Sequence, residues 1–566
     1  MRRTAAHFLC VRACASLLFA FTGSAAATVP PGYACATAHP LATEACIEVL
    51  AAGGNAFDAA VATSAALAVV EPTGSGIGGG GFWLLHRAED QRDIFIDGRE
   101  TAPAAAHRDL YVDADGTPLP ERSRYGTTSA AIPGEPAALE HIAKAYGTRP
   151  LAQLLQPAIR YAREGYAVDD KLARMIVAFA PRLSSAAQQV FMPGGKPLAE
   201  GARLRQPDLA WTLEQLAAQG RNGFYDGAVA ERMLAAVRVG GGYWTAEDLR
   251  RYAVVEREPL VTMFRDVRII SAPPPSAGGV ALAQVFQQLE VLGWRDTPSI
   301  ESRHLLVEAL RRAYRDRAEF LGDPDQVQIP LRALASRERA LQLARTVNPL
   351  RATPSAELKP APLAQEGSDT THFSVLDAQG NRVAATLSIN LPFGSGFMVP
   401  GTGVLLNDEM DDFSTALGVA NAYGLIGSVP NAIAPRKRPL SSMTPTFVEG
   451  PRGLLIVGTP GGSRIITMVA LGILGWIDGL DARALVALPR IHHQYLPDQL
   501  FFEPGAFSAE QQQGLIARGH ALKALDAPYG NLQVVTWDGG RRIEAASDPR
   551  GVGQARVVMQ PAASRP

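Results

Sequence analysis

Residues 367–376 read Gly367-Ser368-Asp369-Thr370-Thr371-His372-Phe373-Ser374-Val375-Leu376, a flexible polar segment that runs directly into a strand-like stretch. If the backbone were cut before Thr370, its hydroxyl would become a nucleophile and its new α-amine would be a base within the same residue. The alternative for this segment alone is an ordinary polar hairpin edge. The rest of the sequence has to decide between the two.

The composition describes a globular protein without a global electrostatic field. The chain has 566 residues, 47% of them hydrophobic, enough for two or more domains or for one large layered domain. Its formal net charge is −1, from 54 basic and 55 acidic residues. We therefore expect no nucleic-acid partner and favour small-molecule or peptide substrates.

Residues 1–27 have the pattern of a secretory signal peptide: a basic start, an apolar stretch and small residues before the expected cleavage site. We expect an exported protein, periplasmic or secreted, without a membrane span, because no later apolar run approaches the roughly 20 residues needed. Arg12 interrupts the apolar run, so an uncleaved leader stays open, as does a lipid anchor through Cys10 or Cys14.

The mature chain keeps two cysteines, Cys35 and Cys46. In an oxidising compartment they could form a disulfide, or they could remain two buried thiols, and the sequence does not decide between these.

The first part of the chain is predicted to be mixed helix and strand. Apolar spacing over 41–70 indicates helix, and the glycine-rich loop 74–81 leads into strand-like segments at 82–86 and 93–97. Region 135–320 is predicted to be mostly amphipathic helix with short connectors, interrupted by Pro273-Pro274-Pro275-Ser276-Ala277-Gly278-Gly279 after a strand at 267–270. A β-rich region is expected from Thr370 onward.

Residues 345–369 lack periodicity, which is typical of an exposed, mobile segment. Beyond them, strands are predicted at 371–377 and 383–390. With Gln379 and Gly380 as the centre of the hairpin turn, paired residue numbers sum to about 759. Thr370 would then lie opposite Ile389, flanked by Ser388 and Asn390, which share a face because side chains alternate along a strand.

Several further motifs have a family-like order and spacing. They are Gly53-Gly54-Asn55-Ala56-Phe57-Asp58-Ala59-Ala60, Gly78–Phe82, Asp97-Gly98-Arg99-Glu100, Thr370-Thr371-His372-Phe373-Ser374, Asn390-Leu391-Pro392-Phe393-Gly394-Ser395-Gly396, Leu406-Asn407-Asp408-Glu409-Met410-Asp411-Asp412-Phe413-Ser414, Arg438-Pro439-Leu440-Ser441-Ser442-Met443 and Gly458-Thr459-Pro460-Gly461-Gly462-Ser463-Arg464. Together they resemble the gamma-glutamyltransferase family, also called gamma-glutamyl transpeptidases or glutathione hydrolases, over nearly all of the mature chain.

The resemblance implies an α+β, N-terminal-nucleophile hydrolase fold: a four-layer αββα sandwich. It also implies autocatalytic cleavage between Asp369 and Thr370, which gives a large subunit, 28–369, and a small one, 370–566, in a heterodimer. Thr370 would attack the γ-amide of glutathione or a related compound and form a γ-glutamyl ester. Water, or the amine of an amino acid or dipeptide acceptor, would then take the γ-glutamyl group, without any cofactor.

The resemblance also assigns a carboxylate subsite. Arg99 would bind the α-carboxylate of the substrate bidentately, with Ser441 and Ser442 adding hydroxyl donors. Without the family context, Arg99 would more simply be one member of a surface ion pair.

The α-ammonium would be bound by Glu409, Asp412 and the amide oxygen of Asn390. Considered alone, this acidic stretch would be a solvated turn or a hard-cation site. A few positions depart from the commonest family pattern: Ser388 replaces the usual threonine beside the nucleophile, and Glu409 is glutamine in some relatives. Tyr423 matches the aromatic residue of a lid loop over the glutamyl pocket.

Gly461 and Gly462 would let backbone N–H groups approach the reacting carbonyl and form an oxyanion hole. Gly74, Gly76 and Gly79 satisfy a dinucleotide-binding pattern, but helix precedes this loop and strand follows it, so we predict close backbone packing instead.

His492-His493 could suggest a metal, but no third ligand lies at a suitable spacing, so a structural role is favoured and no metal is predicted. Two other functions stay open: a related acylase for glutaryl or cephalosporin side chains, and an uncleaved binding protein for glutamyl peptides.

Overall fold

The computed structural model describes residues 29–295, 297, 299–358, 370–414 and 428–560. The predicted signal peptide, Asp369 and Tyr423 lie outside these residues.

Strands and helices alternate in groups along the chain. In chain order the strands are β1 Gly32–Thr37, β2 Gly80–Arg87, β3 Arg92–Gly98, β4 Tyr166–Ala167, β5 Arg203–Leu204, β6 Val255–Arg257, β7 Leu260–Phe264, β8 Val267–Ser271, β9 Thr371–Leu376, β10 Arg382–Ser388, β11 Thr446–Gly450, β12 Gly453–Gly458, β13 Ile491–His492, β14 Leu500–Phe502, β15 Leu522–Ala524, β16 Gln533–Trp537, β17 Ile543–Ser547 and β18 Gln554–Met559.

The α-helices are α1 Pro40–Ala51, α2 Ala56–Val70, α3 Pro120–Arg124, α4 Glu135–Ala145, α5 Leu151–Leu154, α6 Gln156–Glu164, α7 Asp170–Phe179, α8 Ser185–Phe191, α9 Pro207–Gln219, α10 Asn222–Tyr225, α11 Gly227–Val239, α12 Ala246–Arg251, α13 Gly278–Val291, α14 Ile300–Phe320, α15 Leu331–Leu334, α16 Arg337–Ala344, α17 Ile465–Ile477, α18 Ala482–Ala487 and α19 Ala509–Ala517. In the described part of the chain, no helix is both long and apolar enough to span a bilayer.

Two antiparallel sheets stack between two layers of helices. The first has strand order β18-β1-β9-β10-β2-β3-β6, and the second β17-β16-β12-β11-β8-β7. Alternation along β2 shows the layering: Trp83 and Leu85 join the core with α2, whereas Phe82 and Leu84 face the second sheet. Helices α13 and α17 cover the second sheet on its outer side, and α14 packs against α13. The predicted αββα sandwich is confirmed.

Helix α2 is the central element of the first helical layer, and all of its residues are buried. Its start is fixed by a capping box, in which the Asn55 side chain accepts from the N–H of Asp58 and the Asp58 carboxylate accepts from the N–H of Asn55. Asp58 also accepts from Thr148, which attaches α2 to the segment after α4. The predicted helix at 41–70 is therefore confirmed, as two helices separated at Gly53 and Gly54.

The β9–β10 hairpin is confirmed, but its predicted register is wrong by one residue. Thr371 pairs with Leu387, so Thr370 lies opposite Ser388 rather than Ile389. The loop has three residues, since the Asp377 N–H still bonds to the Asn381 carbonyl at 3.0 Å. Gly380, with φ 93°, fills the left-handed position that closes such a loop.

The chain before the predicted cleavage site is held more firmly than the sequence indicates. Although most of 345–358 is exposed, Ser355 is buried and donates to the Tyr495 carbonyl at 2.6 Å. Its N–H donates to Asp498 at 2.7 Å. The expectation of a mobile segment is therefore wrong up to about Leu358, and residues 359–369 lie outside the described part.

Cys35 in β1 and Cys46 in α1 form a disulfide. Of the two possibilities left open by the sequence, the structure has the bonded one.

Candidate active site

Thr370 lies between the two sheets at one end of the sandwich. Two residues on, His372 faces β12, where a Cβ on Gly458 would lie 2.2 Å from the imidazole ring. Ser374 donates to the Gln533 carbonyl of β16 at 3.1 Å. Because side chains alternate along a strand, Thr370 shares this face, and it is buried.

The hydroxyl beside the predicted nucleophile comes from the paired strand. Ser388 Oγ lies 3.5 Å from Thr370 Oγ1 and accepts the Asn390 N–H at 2.9 Å. The predicted hydroxyl partner of Thr370 is therefore in place.

The glycine-rich loop before β2 packs closely against neighbouring backbone. A Cβ on Gly79 would lie 2.2 Å from the Ser388 carbonyl oxygen, and one on Gly78 would lie 1.9 Å from the Leu405 carbonyl oxygen. A Cβ on Gly74 would lie 3.2 Å from the Thr370 carbonyl oxygen. The predicted close packing is confirmed, with the loop between α2 and β2.

Arg99, which follows β3, is buried among carboxylates. Its NH1 lies 2.6 Å from Glu409 and 3.5 Å from Glu100, and its NH2 lies 2.5 Å from Asp412. Its Nε donates to the Pro439 carbonyl at 3.2 Å. The structure thus brings the predicted carboxylate-binding arginine directly against the predicted ammonium-binding acids.

Burial perturbs every acid of this cluster. It raises the pKa of Glu100 to about 8 and raises the pKa values of Glu409 and Asp412, while Arg99 opposes the shift in each case. For Arg99, burial acts to lower the pKa, but Glu409 and Asp412 outweigh it and raise the pKa. The guanidinium is therefore charged, and its main partners are Glu409 and Asp412, whereas Glu100 is mostly neutral at pH 7.

Asn390 is held in a left-handed conformation, with φ 75°. Its amide nitrogen donates to the Asp408 carbonyl at 3.1 Å and to the Asp408 carboxylate at 3.2 Å. Because the NH₂ group is used in this way, the amide oxygen is directed away from Asp408. This orientation fits the predicted role of the oxygen as an acceptor.

Ser441 and Ser442 are placed by the proline-rich connector after β8. The Ser441 N–H donates to the Pro275 carbonyl, and the Ala277 N–H donates to the Ser441 carbonyl, each at 2.8 Å. Ser441 Oγ in turn accepts the Met443 N–H at 3.1 Å. The connector, which the sequence shows only as an interruption, fixes the backbone of the serine pair.

The predicted oxyanion glycines form a tight turn between β12 and α17. Gly461 has φ 134° and Gly462 has φ 55°, conformations that favour glycine. The turn leads into α17, whose first N–H groups and dipole attract negative charge. The local geometry suits an oxyanion site.

These loops surround a small cavity, with a volume of about 20 Å³. Eight of the predicted site residues line it: Arg99, Thr370, Ser388, Asn390, Asp412, Ser441, Ser442 and Gly462. Glu409 contacts Arg99 behind the cavity wall, and Gly461 adjoins Gly462.

Several residues around the cavity were not predicted. Arg317, Met443, Ser463 and Ile465 complete its lining. Beneath the nucleophile, Thr371 donates to Glu71 at 2.5 Å, and Glu71 lies 3.3 Å from Lys171. Glu71 could have been suspected from the sequence, as an acid at the end of an otherwise apolar helix.

The histidine pair 492–493 is buried in hydrogen bonds. His492 contacts Thr467 at 2.9 Å and Gln494 at 2.8 Å, which fits the predicted structural role. A separate group, His304, Glu308 and His520, could approach a common ion. Glu308, however, already binds two arginine side chains, 2.6 Å away at Arg312 and 3.2 Å away at Arg311.

Comparison with known proteins agrees with this geometry. The family model described as gamma-glutamyltranspeptidase matches residues 42–558. The chain belongs to the gamma-glutamyltranspeptidase family. It is 42% identical over 532 residues to the glutathione hydrolase proenzyme of Pseudomonas sp. (strain A14), covering 91% of this chain and 92% of that protein. It is 40% identical over 525 residues to that of Escherichia coli (strain K12), covering 91% and 90%.

A solved relative has the same overall structure. The crystal structure of cephalosporin acylase from Bacillus halodurans superposes with a TM-score of 0.81 at 27% identity, covering 96% of this chain and 98% of that one. The gamma-glutamyltranspeptidase fold therefore serves both kinds of enzyme, and the side chains of the pocket must decide between them.

Proposed function

We propose that this chain is an autoprocessing gamma-glutamyltransferase that cleaves the γ-glutamyl amide of glutathione and related compounds. The single observation that carries the proposal is the pocket beside Thr370, where a buried arginine and buried carboxylates stand together. A γ-glutamyl donor presents a carboxylate and an ammonium on the same carbon, so a selective pocket needs both signs of charge. The relatives named glutathione hydrolase proenzyme support the same conclusion.

Maturation would begin with hydrolysis of the peptide bond between Asp369 and Thr370, which releases the α-amine of Thr370. The Thr370 hydroxyl then attacks the γ-carbonyl carbon and passes its proton to that amine. The C–N bond of the amide breaks, and the protonated amine returns the proton to the leaving nitrogen. The γ-glutamyl ester that remains is cleaved by water, or by the amine of an amino acid or dipeptide.

Each predicted site residue in the described part of the chain has a step in this scheme. Ser388 orients the nucleophile, and the N–H groups at Gly461 and Gly462 stabilise the oxyanion of the tetrahedral intermediate. Arg99, Ser441 and Ser442 hold the α-carboxylate. The α-ammonium is bound by Glu409, Asp412 and Asn390.

A glutaryl or cephalosporin acylase is the second candidate, favoured by the likeness to the Bacillus halodurans enzyme. A glutaryl side chain carries no α-ammonium. The buried carboxylates of Glu409 and Asp412 would then face no positive group of the substrate, which argues for the γ-glutamyl donor.

A direct test compares hydrolysis of γ-glutamyl and glutaryl p-nitroanilides by the purified protein. We expect the γ-glutamyl compound to be preferred, and a clear preference for the glutaryl compound would establish the acylase instead. Glutathione turnover with and without an acceptor dipeptide then separates transfer from hydrolysis.

Self-processing is tested on a denaturing gel. The wild-type chain should give two fragments, and the smaller should begin Thr-Thr-His-Phe-Ser. Thr370→Ala should stay full-length and lose at least about 1,000-fold in activity, whereas Thr370→Ser should retain both functions in part. A single full-length band that persists for the wild type would support the uncleaved binding protein.

We also propose that the protein is exported and that its two fragments remain a heterodimer. The Cys35–Cys46 disulfide supports export, since such bonds persist in oxidising compartments. Cell fractionation with a cytoplasmic marker tests the location.

A further inference from the structure

Arg317 is a second buried arginine at the pocket, and no step of the proposed reaction uses it. It lies in the last turn of α14 and lines the same cavity as Thr370. Its side chain is 5% exposed. A guanidinium this deeply buried needs a counter-charge or a full set of acceptors.

Its contacts supply neither of these. One NH2 hydrogen is donated to Ser442 Oγ at 3.2 Å. The Nε–H of Arg317 has no hydrogen-bond partner in the described part of the chain, and no described carboxylate lies within ion-pair distance. Burial lowers the pKa of Arg317 to about 10, so the group still carries its charge at neutral pH.

Arg99 differs from Arg317 in that carboxylates contact its guanidinium directly. Its positive charge is already compensated by Glu409 and Asp412, at 2.6 and 2.5 Å. A substrate carboxylate that approached Arg99 alone would meet a guanidinium flanked by two acids. Arg317, by contrast, has no described carboxylate in contact with it, and Asp412, already in contact with Arg99, acts on it only at longer range.

The bond to Ser442 has a definite direction. A guanidinium can only donate, so Ser442 Oγ accepts from Arg317. The hydroxyl hydrogen of Ser442 is then available to a different acceptor, and the serine lines the cavity. Arg317 thereby sets Ser442 as a donor toward an anionic ligand.

Helix α14 is tied to the opposite wall of the cavity one turn earlier. The Tyr314 hydroxyl donates to the carbonyl of Ser463, directly after the predicted oxyanion glycines. Residues three apart share a face of a helix, so Tyr314 and Arg317 present the same face to the pocket. The guanidinium is therefore held by a rigid element.

We propose that Arg317 is a specificity-determining residue, which supplies a positive charge without a contacting carboxylate for the substrate α-carboxylate and fixes Ser442 as a second donor to it. The inference rests on the proposed γ-glutamyl chemistry and deepens it. It predicts that the carboxylate of the donor is recognised at Arg317, and the ammonium at the acids beside Arg99.

The test uses three anilides that differ by one group each. γ-Glutamyl anilide carries both the α-carboxylate and the α-ammonium, glutaryl anilide carries only the carboxylate, and γ-aminobutanoyl anilide carries only the ammonium. Arg317→Met should lower kcat/KM about 10- to 100-fold for the two compounds with a carboxylate, the loss expected for a charged hydrogen bond. The compound without the carboxylate should change less than about threefold.

Two further variants make the result specific. Arg315→Met removes the same charge two residues away, where the side chain pairs with Asp316 and Glu319, and it should leave all three ratios unchanged. Arg317→Lys keeps the charge but replaces the planar fork of donors by a single ammonium, so it should lose less than Arg317→Met and with the same selectivity. If Arg317→Met stays unprocessed, Arg317→Lys gives the answer alone.

Equal losses on all three anilides would show a merely structural role and overturn the inference, as would no loss on any. Failure of the proposed function is read separately, on the wild-type enzyme, as the absence of γ-glutamyl anilide hydrolysis.

Discussion

Gly79→Ala places a single methyl group against the backbone that carries the hydroxyl partner of the nucleophile. The ideal Cβ at Gly79 lies 2.2 Å from the Ser388 carbonyl oxygen and 2.6 Å from Ile389 Cγ2. The first of these contacts is with backbone at the end of a central strand, which cannot rotate away as a side chain can. Neither Gly79 nor its neighbour Gly76 has a positive φ, so the effect is steric alone.

The geometry gives the size of the effect. An ordinary contact begins near 3.4 Å, so the Ser388 backbone or the loop must move by about 1 Å. Overpacking of this kind costs about 1–3 kcal/mol of stability. A shift of about 1 Å between reacting groups costs about 100-fold in rate, or about 2.7 kcal/mol of transition-state stabilisation. Since Ser388 Oγ and Thr370 Oγ1 are 3.5 Å apart, both losses are expected together.

Gly76→Ala is the matched control, because among the described residues its Cβ would meet only Ile389 Cγ2, at 3.6 Å. Both variants are assayed for thermal unfolding, for processing on a denaturing gel and for γ-glutamyl anilide hydrolysis. Gly76→Ala should match the wild type. Equal behaviour of the two variants, or a Gly79→Ala enzyme within threefold of wild-type activity, would refute the argument from backbone contact.

Three other predictions concern stability and are measured in a Thr370→Ala background, which should stay uncut, so that unfolding stays within one chain; 'wild type' here means Thr370→Ala without a further change. Glu71→Ala leaves the buried Thr371 hydroxyl without its acceptor and should cost about 2 kcal/mol in urea unfolding, with Glu71→Gln recovering more than half. Replacing Cys35 and Cys46 together by alanine should cost about 2–3 kcal/mol, and a reductant should destabilise the wild type but not this variant. Burial lowers the pKa of His372 from 6.5 to about 3, so between these values the unfolded chain binds a proton that the folded one does not. Stability should therefore fall as the pH falls below about 6.5, and His372→Asn should reduce this slope by up to about 1.4 kcal/mol per pH unit.

The long elements of the fold follow directly from the sequence. The apolar helices at 40–70 and the strands around the glycine-rich loop have strong periodicity, and their bounds come out within a few residues. The hairpin register could not be deduced, because Gly380 suits either a two-residue turn or the bulge position of a three-residue one. Tertiary contact settles it: Asp377 accepts from the N–H of Ala56 in α2, at 2.9 Å, as well as from its own turn.

The site residues likewise fall into those that the sequence reveals and those that only the structure reveals. Residues in short distinctive motifs, such as Arg99 and Thr370, can be found from the sequence. Arg317 cannot, because α14 carries arginines on several faces and only the packing of α14 in the fold shows which of them is buried without a carboxylate in contact. The disulfide depends in the same way on how β1 and α1 pack.

The order of strands in the two sheets governs how long a processed molecule can survive. Strand β1 lies between β18 and β9, β10 pairs with β2, and β11 pairs with β8, so each sheet crosses the proposed boundary between fragments. A precursor folds by a search within one chain, whereas two separated fragments would have to find each other at their prevailing concentration. After processing, complete unfolding would therefore be irreversible in practice, because the two fragments separate. The lifetime of the active enzyme is then set by its rate of unfolding.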